Sequence, residues 1–244
     1  MKNIYQELLS AKKSGDKKIA VLLDPDKLKL RHMESIIEKS IRNRIDYFFI
    51  GGSLIVIDML DQLLQSIRNK CEIPMILFPG NSFQLSYKAD ALLLLSLISG
   101  RNPELLIGKH VMVAPYLKIS PLEIIPTGYI LIDGGKVSSV QYISNTAPIP
   151  ADKNDIAACT ALAGEMLGLK LIYLDAGSGA NNPISSELIS TVSAQIQVPL
   201  IVGGGIKDPA KIIENFKSGA DLVVIGNAVE KNPNFIDEIG QIER

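Results

Sequence analysis

Short runs of apolar residues recur along the chain, and each run ends in polar or glycine-rich residues. None of these runs alternates apolar with polar positions, so each is typical of a strand that is buried on both faces, as in a parallel sheet. The predicted strands are residues 18–23, 47–50, 74–78, 91–95, 128–132, 171–174, 200–202 and 222–225.

Helical patterns fit between most of the predicted strands. Residues 53–69 carry apolar side chains at helical spacing, and residues 152–167 form a second such pattern that ends at Gly168. Three later helices are predicted to begin with a polar cap followed by proline, at Asn182-Pro183, Asp208-Pro209 and Asn232-Pro233. Residues 217–219 predict the end of the second of these three helices.

Eight strands with helices between them, in a chain of 244 residues, are typical of a (β/α)8 TIM barrel. We expect one barrel domain over residues 1–244, with a doubly wound open sheet as the alternative. Residues 79–90 are few and begin with Pro79-Gly80, so the third helix is predicted to be replaced by irregular structure. Residues 134–150 are too many for a simple loop, which predicts a small hairpin or a lid.

Composition narrows the classes of function. Hydrophobic residues make up 47% and charged residues 21%, as in packed globular proteins. The chain carries 25 Lys and Arg against 26 Asp and Glu, and this balance argues against nucleic acid as the main partner. Residues 91–99, the most apolar window, are too few to span a membrane, which takes about 20. With no N-terminal signal pattern and two isolated cysteines, the sequence predicts a cytoplasmic protein with buried, reduced thiols.

Glycine-rich turns follow the sixth, seventh and eighth predicted strands, at residues 177–179, 203–205 and 226–227. In a TIM barrel the turns after strands 7 and 8 commonly bind phosphate. Glycine lets backbone N–H groups approach the phosphate oxygens, and a helix N-terminus adds partial positive charge. The alternative is that the glycines only permit tight turns. Two such turns at the right strands, with a third nearby, favour a phosphate site.

Acidic residues follow the first predicted strand, where Asp24 and Asp26 flank Pro25. Carboxylates on a rigid turn are candidate ligands for Mg²⁺, with water and a phosphate completing the coordination. The alternative is an ordinary turn or cap aspartate, which is common. Ser53 follows the second strand and is a candidate N-cap of the next helix, and the same hydroxyl oxygen is able to face a metal.

Other polar residues have simpler explanations. Asp133 follows the fifth strand but lies in an Asp-Gly-Gly turn, and Lys207 begins a helix, where a lysine is usually solvated. His32 and His110 have no partner motif and are expected on a surface helix and at the edge of a loop. The sequence contains no Ser-His-Asp pattern, P-loop or dinucleotide-binding motif.

Five segments together resemble a known family. They are residues 21–27 (VLLDPDK), 49–53 (FIGGS), 173–180 (YLDAGSGA), 202–209 (VGGGIKDP) and 224–230 (VIGNAVE). In order and spacing they are similar to the geranylgeranylglyceryl phosphate synthase family, which includes the heptaprenylglyceryl phosphate synthases. The similarity runs from the first strand to the eighth and so covers essentially the whole chain. Single motifs such as GGGI also occur in other phosphate-binding barrels.

The resemblance implies a modified TIM barrel and a Mg²⁺-dependent transfer reaction. A prenyl group passes from its diphosphate to the 3-hydroxyl of sn-glycerol 1-phosphate, forming an ether and releasing diphosphate. By position, Asp24 and Ser53 match the metal ligands of the family. The positions that match its glycerol phosphate site are Tyr173, Leu174, Asp175, Ala176, Gly177, Ser178, Gly179, Gly204, Gly205, Gly226 and Asn227. The YLDAGSGA form resembles the geranylgeranyl-using branch, which implies a C20 donor.

The implied reaction sets further expectations. No strong base is needed if the allylic cation forms first, so no general base is assigned, and Asp175 and Tyr173 are the candidates to accept or relay the proton. The prenyl tail needs an apolar channel, for which Phe48, Phe78 and the leucines of residues 91–97 are candidates.

Two alternatives belong to other classes of function. A phosphosugar isomerase or lyase would use an acid and a base, for example Asp24 and Asp133, without a metal. A non-catalytic barrel would only hold a phosphate. Metal dependence separates the prenyltransferase from both.

Assembly is predicted from the surplus of apolar residues on two helices, residues 53–69 and 155–169. The surplus predicts a homo-oligomer, at least a dimer, formed through outer helices away from the C-terminal ends of the strands. The family resemblance also implies dimers or assemblies of dimers.

Overall fold

Eight parallel strands close into a barrel in the computed structural model, which describes residues 3–26, 30–54 and 59–243. Each strand pairs with the next, and the last pairs with the first, so the sheet is closed. The strands are β1 Lys18–Leu23, β2 Tyr47–Ile50, β3 Met75–Leu77, β4 Ala91–Leu97, β5 Glu123–Leu131, β6 Leu171–Asp175, β7 Leu200–Gly203 and β8 Leu222–Ile225. The predicted TIM barrel is confirmed over the open doubly wound sheet.

Helices pack around this barrel and also close one end of it. They are α1 Ile4–Ser14, α2 Leu30–Arg42, α3 Leu60–Arg68, α4 Lys109–Lys118, α5 Ser139–Ser144, α6 Asn154–Met166, α7 Ser186–Ser193, α8 Pro209–Lys217, α9 Asn227–Lys231 and α10 Phe235–Ile239. A π-helical turn, Glu104–Gly108, runs directly into α4. The sequence patterns did not predict α1, α4 or α5.

Strand side chains alternate between two cores. Ile19 of β1 packs in the layer between strands and helices, whereas its neighbour Ala20 faces the barrel interior. Helix α1 closes the end of the barrel at which the strands begin. Its Ile4 and Leu8 are fully buried in the same cluster as the interior residues. The carboxylate of Glu123, at the start of β5, accepts hydrogen bonds from the first amides of α1 at 2.6 and 2.9 Å. The C-terminal ends of the strands are therefore the open end of the barrel.

Of the two connections predicted to be irregular, one agrees with the prediction and one does not. No helix forms over residues 78–90, as predicted for the third crossover. The hairpin predicted within residues 134–150 is wrong, because this segment forms α5 and makes only a single bridge, between Ile132 and Ile149. Ser138 caps α5 by accepting a hydrogen bond from the amide of Gln141 at 3.2 Å, so a local serine signal favours a helix here.

A polar cap followed by proline marks the start of a helix at one predicted position but not at another. Helix α8 begins at Pro209 with Asp208 as its cap, as predicted. The start predicted at Asn182-Pro183 is wrong, because the Asn182 amide donates to the loop after β5 and α7 begins only after a Ser185 cap. Tertiary hydrogen bonding thus outweighs the local signal in this turn.

Two other helix starts lie later than predicted. The Asn232-Pro233 pair precedes α10 by two residues, because the side chain of Asn232 accepts from the amide of Asn234 and forms a turn first. Helix α3 begins at Leu60 with Met59 as its N-cap, and Leu54 is not helical, so the predicted role of Ser53 as the cap of a helix that begins at Leu54 is wrong. Residues 55–58 of the predicted helix lie outside the described residues.

The two cysteines differ in exposure, and both are reduced. Cys71 is half-buried and Cys159 is exposed, and both are free, so the prediction of two buried thiols is wrong for Cys159. Within residues 3–26, 30–54 and 59–243, no helix is both long and apolar enough to cross a membrane.

Candidate active site

Two adjoining cavities open at the C-terminal ends of the strands. The larger has a volume of about 600 Å³ and is lined mainly by the turns after β1, β2, β6, β7 and β8. The smaller has a volume of about 180 Å³ and is lined largely by apolar side chains of β4 and α4. We name them the polar cavity and the apolar cavity. Gly52, Ser53, Phe78 and Val140 line both, so the two spaces meet beside the turn after β2.

The predicted glycine-rich turns come together in the polar cavity. Its lining includes Gly179, Gly204, Gly205 and Gly226. Gly204 has a φ of +86°, and a β-carbon there would lie 2.6 Å from the Asp175 carboxylate, so the turn after β7 requires glycine. At Gly226 a β-carbon would meet only the Leu22 side chain, at 3.4 Å. The fold itself therefore tolerates a small side chain at Gly226 far better than at Gly204.

Side chains connect the turn after β6 to the turn after β8. The Ser178 hydroxyl donates to Oδ1 of Asn227, the first residue of α9, at 3.0 Å, and both residues line the polar cavity. Leu174, Ala176 and Gly177, which the family resemblance also assigns to the phosphate site, do not line this cavity. Leu174 and Ala176 pack in the helix-facing core instead. The side chains of these two residues are therefore structural.

Asp175, at the end of β6, is a buried carboxylate in the wall of the polar cavity. It accepts a hydrogen bond from the Tyr129 hydroxyl at 2.5 Å and another from the Gly177 amide at 2.8 Å. Burial raises the pKa of Asp175 above its ordinary value, and these two hydrogen bonds offset part of that rise. A carboxylate with a raised pKa in a cleft is a candidate proton acceptor.

Asp24 follows β1 and Ser53 lies in the turn after β2, and both line the polar cavity. Asp24 is only 5% exposed, and a β-carbon on Gly52 would lie 2.9 Å from its Oδ2, so the carboxylate packs against the turn that carries Ser53. Asp26 lines neither cavity, and its amide donates to Asp24 Oδ1 at 3.1 Å. The described residues contain no cluster of three metal-binding His, Cys, Asp or Glu side chains. This donor set fits a hard cation that keeps most of its ligands from water and substrate, as Mg²⁺ does.

Gln84 holds the turn after β2 in place. Its side chain is 3% exposed, and its amide nitrogen donates to the Gly52 carbonyl at 2.8 Å. Its amide oxygen accepts from the amide of Gly80 at 3.0 Å. The irregular third crossover thus supplies a buried clamp for the turn where the two cavities meet, a role that no motif in the sequence indicated.

The apolar cavity agrees in part with the predicted prenyl channel. Phe78 and five leucines of the predicted segment line it, namely Leu92, Leu93, Leu94, Leu95 and Leu97. Phe48 does not, because it faces the helices while its neighbour Phe49 faces the barrel interior. His110 was expected at a loop edge but lies in the first turn of α4, where it lines this cavity 3.4 Å from the Ser96 hydroxyl.

Three aromatic rings meet where the cavities join. Phe78 stacks on Tyr173 with ring centres 5.2 Å apart, and Tyr129 packs edge-on against Tyr173 at 5.5 Å. Phe78 lines both cavities, Tyr129 the apolar one and Tyr173 the polar one. The faces of such rings favour nearby positive charge, so this junction is suited to a cationic reaction centre.

Of the remaining polar candidates, Lys207 lines the polar cavity and Asp133 does not. Asp133 is exposed and lines neither cavity, and its Oδ1 accepts from the Gly135 amide at 2.9 Å. An isomerase that pairs Asp24 with Asp133 therefore lacks its second group. Lys207 does line the polar cavity.

Two residues that line the cavities were not predicted from the sequence, namely Lys136 and Tyr129. Lys136 comes three residues after Asp133, and this position after a strand was the available signal.

Comparison with known proteins agrees with this geometry. The PcrB family matches residues 13–243. The chain belongs to the PcrB family. Geranylgeranylglyceryl phosphate synthase of Chitinophaga pinensis is 53% identical over 97% of this chain and 94% of that protein. The protein of the same name from Methanothermobacter marburgensis is 38% identical over 93% of each chain.

A solved structure has nearly the same fold as this PcrB-family chain. It is (S)-3-O-geranylgeranylglyceryl phosphate synthase from Thermoplasma acidophilum in complex with sn-glycerol-1-phosphate. Its TM-score to this chain is 0.92 at 29% identity, with 98% of this chain and 96% of that chain covered. An aldolase from Escherichia coli has a TM-score of 0.58 at 12% identity and shares only the barrel fold.

Proposed function

We propose that this PcrB-family chain is a prenyltransferase that joins a prenyl group, geranylgeranyl in particular, to the 3-hydroxyl of sn-glycerol 1-phosphate. One observation carries the proposal: a polar cavity with glycine-rich turns adjoins an apolar cavity, and Gly52, Ser53 and Phe78 line both. An acceptor phosphate fits the first space and a hydrocarbon tail the second, which brings the reacting groups together at the junction. The names of the relatives support the C20 donor.

Magnesium is proposed as the cofactor, with Asp24 and Ser53 as its protein ligands. The buried Asp24 carboxylate and the Ser53 hydroxyl lie beside the junction of the cavities, where a diphosphate between tail and acceptor would lie. When bound, Mg²⁺ neutralises charge on the departing diphosphate. Gln84 holds the backbone of the Ser53 turn during this step.

The residues of the chain account for the rest of the reaction. The bond between the prenyl C1 and the diphosphate oxygen breaks, and the electron pair leaves with diphosphate. The rings of Phe78, Tyr129 and Tyr173 meet where the two cavities join, close to where positive charge develops on the allyl group, and would stabilise that charge. The 3-hydroxyl oxygen of the acceptor bonds to C1, and its proton passes to the Asp175 carboxylate.

The proposal is tested by incubation of the purified chain with sn-glycerol 1-phosphate and a series of labelled prenyl diphosphates. Each donor is assayed with Mg²⁺, with EDTA and with Mg²⁺ restored. We expect ether product only when the metal is present, with the C20 donor giving the highest kcat/KM. Activity that survives EDTA would contradict the magnesium site. A preference for a much longer or shorter donor would contradict the C20 assignment.

Gly226→Ala is expected to weaken binding of the acceptor without unfolding the barrel. The added β-carbon has room against Leu22 but obstructs close approach of a phosphate to the backbone of the β8 turn. We expect the KM for sn-glycerol 1-phosphate to rise at least about fivefold, while the KM for the prenyl donor changes little. The thermal melt is the control, because with a φ of −115° and room against Leu22 an alanine at position 226 should leave it close to that of the unaltered chain. Equal rises in both KM values would contradict the phosphate assignment.

A homo-oligomer, at least a dimer, is also proposed. Helix α4 and its flanks expose five large apolar side chains, namely Ile107, Val111, Met112, Tyr116 and Ile119. Helix α6, on which the sequence prediction rested, exposes Ile156 and Met166, and part of the other predicted helix lies outside the described residues. Exposed apolar patches of this kind commonly mark contacts between copies of a chain.

Light scattering tests the assembly. We expect a mass of at least twice the 26.5 kDa of one chain at micromolar concentration. Met112→Glu should lower that mass, because it places a charge in the centre of the α4 patch, where Met112 is 66% exposed. A mass near 26.5 kDa for the unaltered chain would contradict the proposal.

A further inference from the structure

Lys136 lies directly over the glycine-rich turn after β6. A β-carbon placed on Gly179 would lie 3.4 Å from the Lys136 Nζ and 3.3 Å from the Asn227 Nδ2. The ammonium group therefore shares the space above Gly179 with an amide donor of the turn after β8. Lys136, Gly179 and Asn227 all line the polar cavity.

Hydrogen bonds fix the loop that carries Lys136 to the turn after β6. The Gly134 carbonyl accepts from the amides of Asn181 and Asn182 at 3.0 and 3.1 Å. The side-chain amide of Asn181 donates to the Gly135 carbonyl at 3.3 Å. Gly134 packs so closely that a β-carbon there would lie 2.5 Å from the Ala176 carbonyl oxygen. The backbone next to Lys136 is thus held by the same segment that forms the glycine-rich turn, while the lysine itself is exposed at the cavity.

The ammonium group of Lys136 has no counter-charge among the described residues. Across residues 3–26, 30–54 and 59–243, no carboxylate forms an ion pair with Lys136. Within these residues Lys207 and Lys231, which also line the polar cavity, likewise form no ion pair, but it is the Lys136 Nζ that lies within 4 Å of a β-carbon placed on Gly179. An unpaired cation beside two groups of N–H donors matches the charge and the geometry of a phosphate dianion.

We propose that Lys136 binds the phosphate of the acceptor, sn-glycerol 1-phosphate, rather than the diphosphate of the donor. This assignment rests on the proposed function of the cavity. Lys136 stands over Gly179 and Asn227, whereas the donor diphosphate is assigned to the other side, near Asp24 and Ser53. The lysine supplies the charge that backbone N–H groups of the glycine-rich turns lack.

Lys136→Gln tests the proposal, with Lys136→Arg as the conservative variant and Lys217→Gln as the control. Lys217 is an exposed lysine in the last turn of α8, remote from the open end of the barrel. We expect Lys136→Gln to raise the KM for sn-glycerol 1-phosphate about tenfold and the KM for the prenyl donor less than about twofold. Lys136→Arg should restore most of the acceptor affinity, and Lys217→Gln should match the unaltered chain.

Calorimetric titration with sn-glycerol 1-phosphate alone separates this proposal from the proposed function. A chain that binds the acceptor but transfers no prenyl group would contradict the function, while weaker binding to Lys136→Gln would still support the lysine. Unchanged acceptor binding in Lys136→Gln, in a chain active in prenyl transfer, would overturn the proposal. So would a rise in the donor KM as large as the rise in the acceptor KM.

Discussion

Asp24→Asn is expected to lower turnover at least about 100-fold while the protein stays folded, because metal-borne charge stabilisation contributes several kcal/mol to such reactions. The Asp24 carboxylate is buried against Gly52 and lines the polar cavity, so its loss removes the main protein ligand of the proposed Mg²⁺. An asparagine of the same shape keeps an oxygen that is able to accept from the Asp26 amide. The thermal melt should therefore stay close to that of the unaltered chain.

Asp26→Asn is the matched control for this variant. Asp26 lies on the same turn, two residues on, but lines neither cavity. We expect its activity to fall far less than that of Asp24→Asn at every Mg²⁺ concentration in a titration. Near-normal Mg²⁺-dependent turnover in Asp24→Asn would remove Asp24 from the metal site, and equal losses in both variants would point to the turn rather than to the ligand.

Asp175→Asn should lower kcat by about 100-fold or more, because positioned proton acceptors contribute about that much to catalysis. The buried carboxylate receives hydrogen bonds from Tyr129 and Gly177, and its raised pKa favours uptake of a proton. Below that pKa the carboxyl is neutral and is unable to accept the proton of the acceptor hydroxyl. The activity of the unaltered chain should therefore fall as the pH drops through the raised pKa.

Tyr129→Phe gives this assignment a pH signature. The Tyr129 hydrogen bond lowers the pKa of Asp175, so its removal raises that pKa further. The acidic limb of the kcat profile should therefore move to higher pH in Tyr129→Phe, with activity regained at alkaline pH. An unmoved limb would contradict Asp175 as the proton acceptor, and wild-type kcat in Asp175→Asn would do so directly.

The barrel was predictable because buried parallel strands show as continuous apolar runs. β1, β2 and β8 have the predicted bounds, whereas β5 begins at Glu123, five residues before the predicted start. Pro126 interrupts the run in sequence, yet it takes a regular place in the strand opposite Leu94. The local signal against a strand is overridden here by pairing with β4, which sequence periodicity does not describe.

Helix starts were less predictable, because a cap motif competes with tertiary hydrogen bonds. Asp208 caps α8 as its sequence suggests, whereas the backbone amide of Asn182 donates a hydrogen bond to the loop after β5. Helix α4 was missed altogether, because Pro115 and a preceding π-helical turn break the regular apolar spacing. This helix carries both His110 of the apolar cavity and the exposed patch.

The site was predictable where the chemistry lies in short segments after strands. Glycines at positions 204, 205 and 226 and the polar residues Asp24 and Ser53 all reach the polar cavity. Residues whose contacts join segments distant in the sequence could not be predicted from motifs of this kind. Tyr129 meets Asp175 only because β5 lies beside β6, and Gln84 meets Gly52 only because the third crossover folds over the turn after β2.

The central claim is tested most directly by analysis of the product formed from geranylgeranyl diphosphate and each enantiomer of glycerol phosphate. With sn-glycerol 1-phosphate and Mg²⁺, we predict that mass spectrometry shows a geranylgeranyl ether at the 3-oxygen, with one diphosphate released for each ether formed. The other enantiomer should react far more slowly, since the glycine-rich turns, Tyr173 and Asp175 fix the phosphate and the hydroxyl together. Release of diphosphate without ether, or conversion of a phosphosugar in place of prenyl transfer, would contradict the claim.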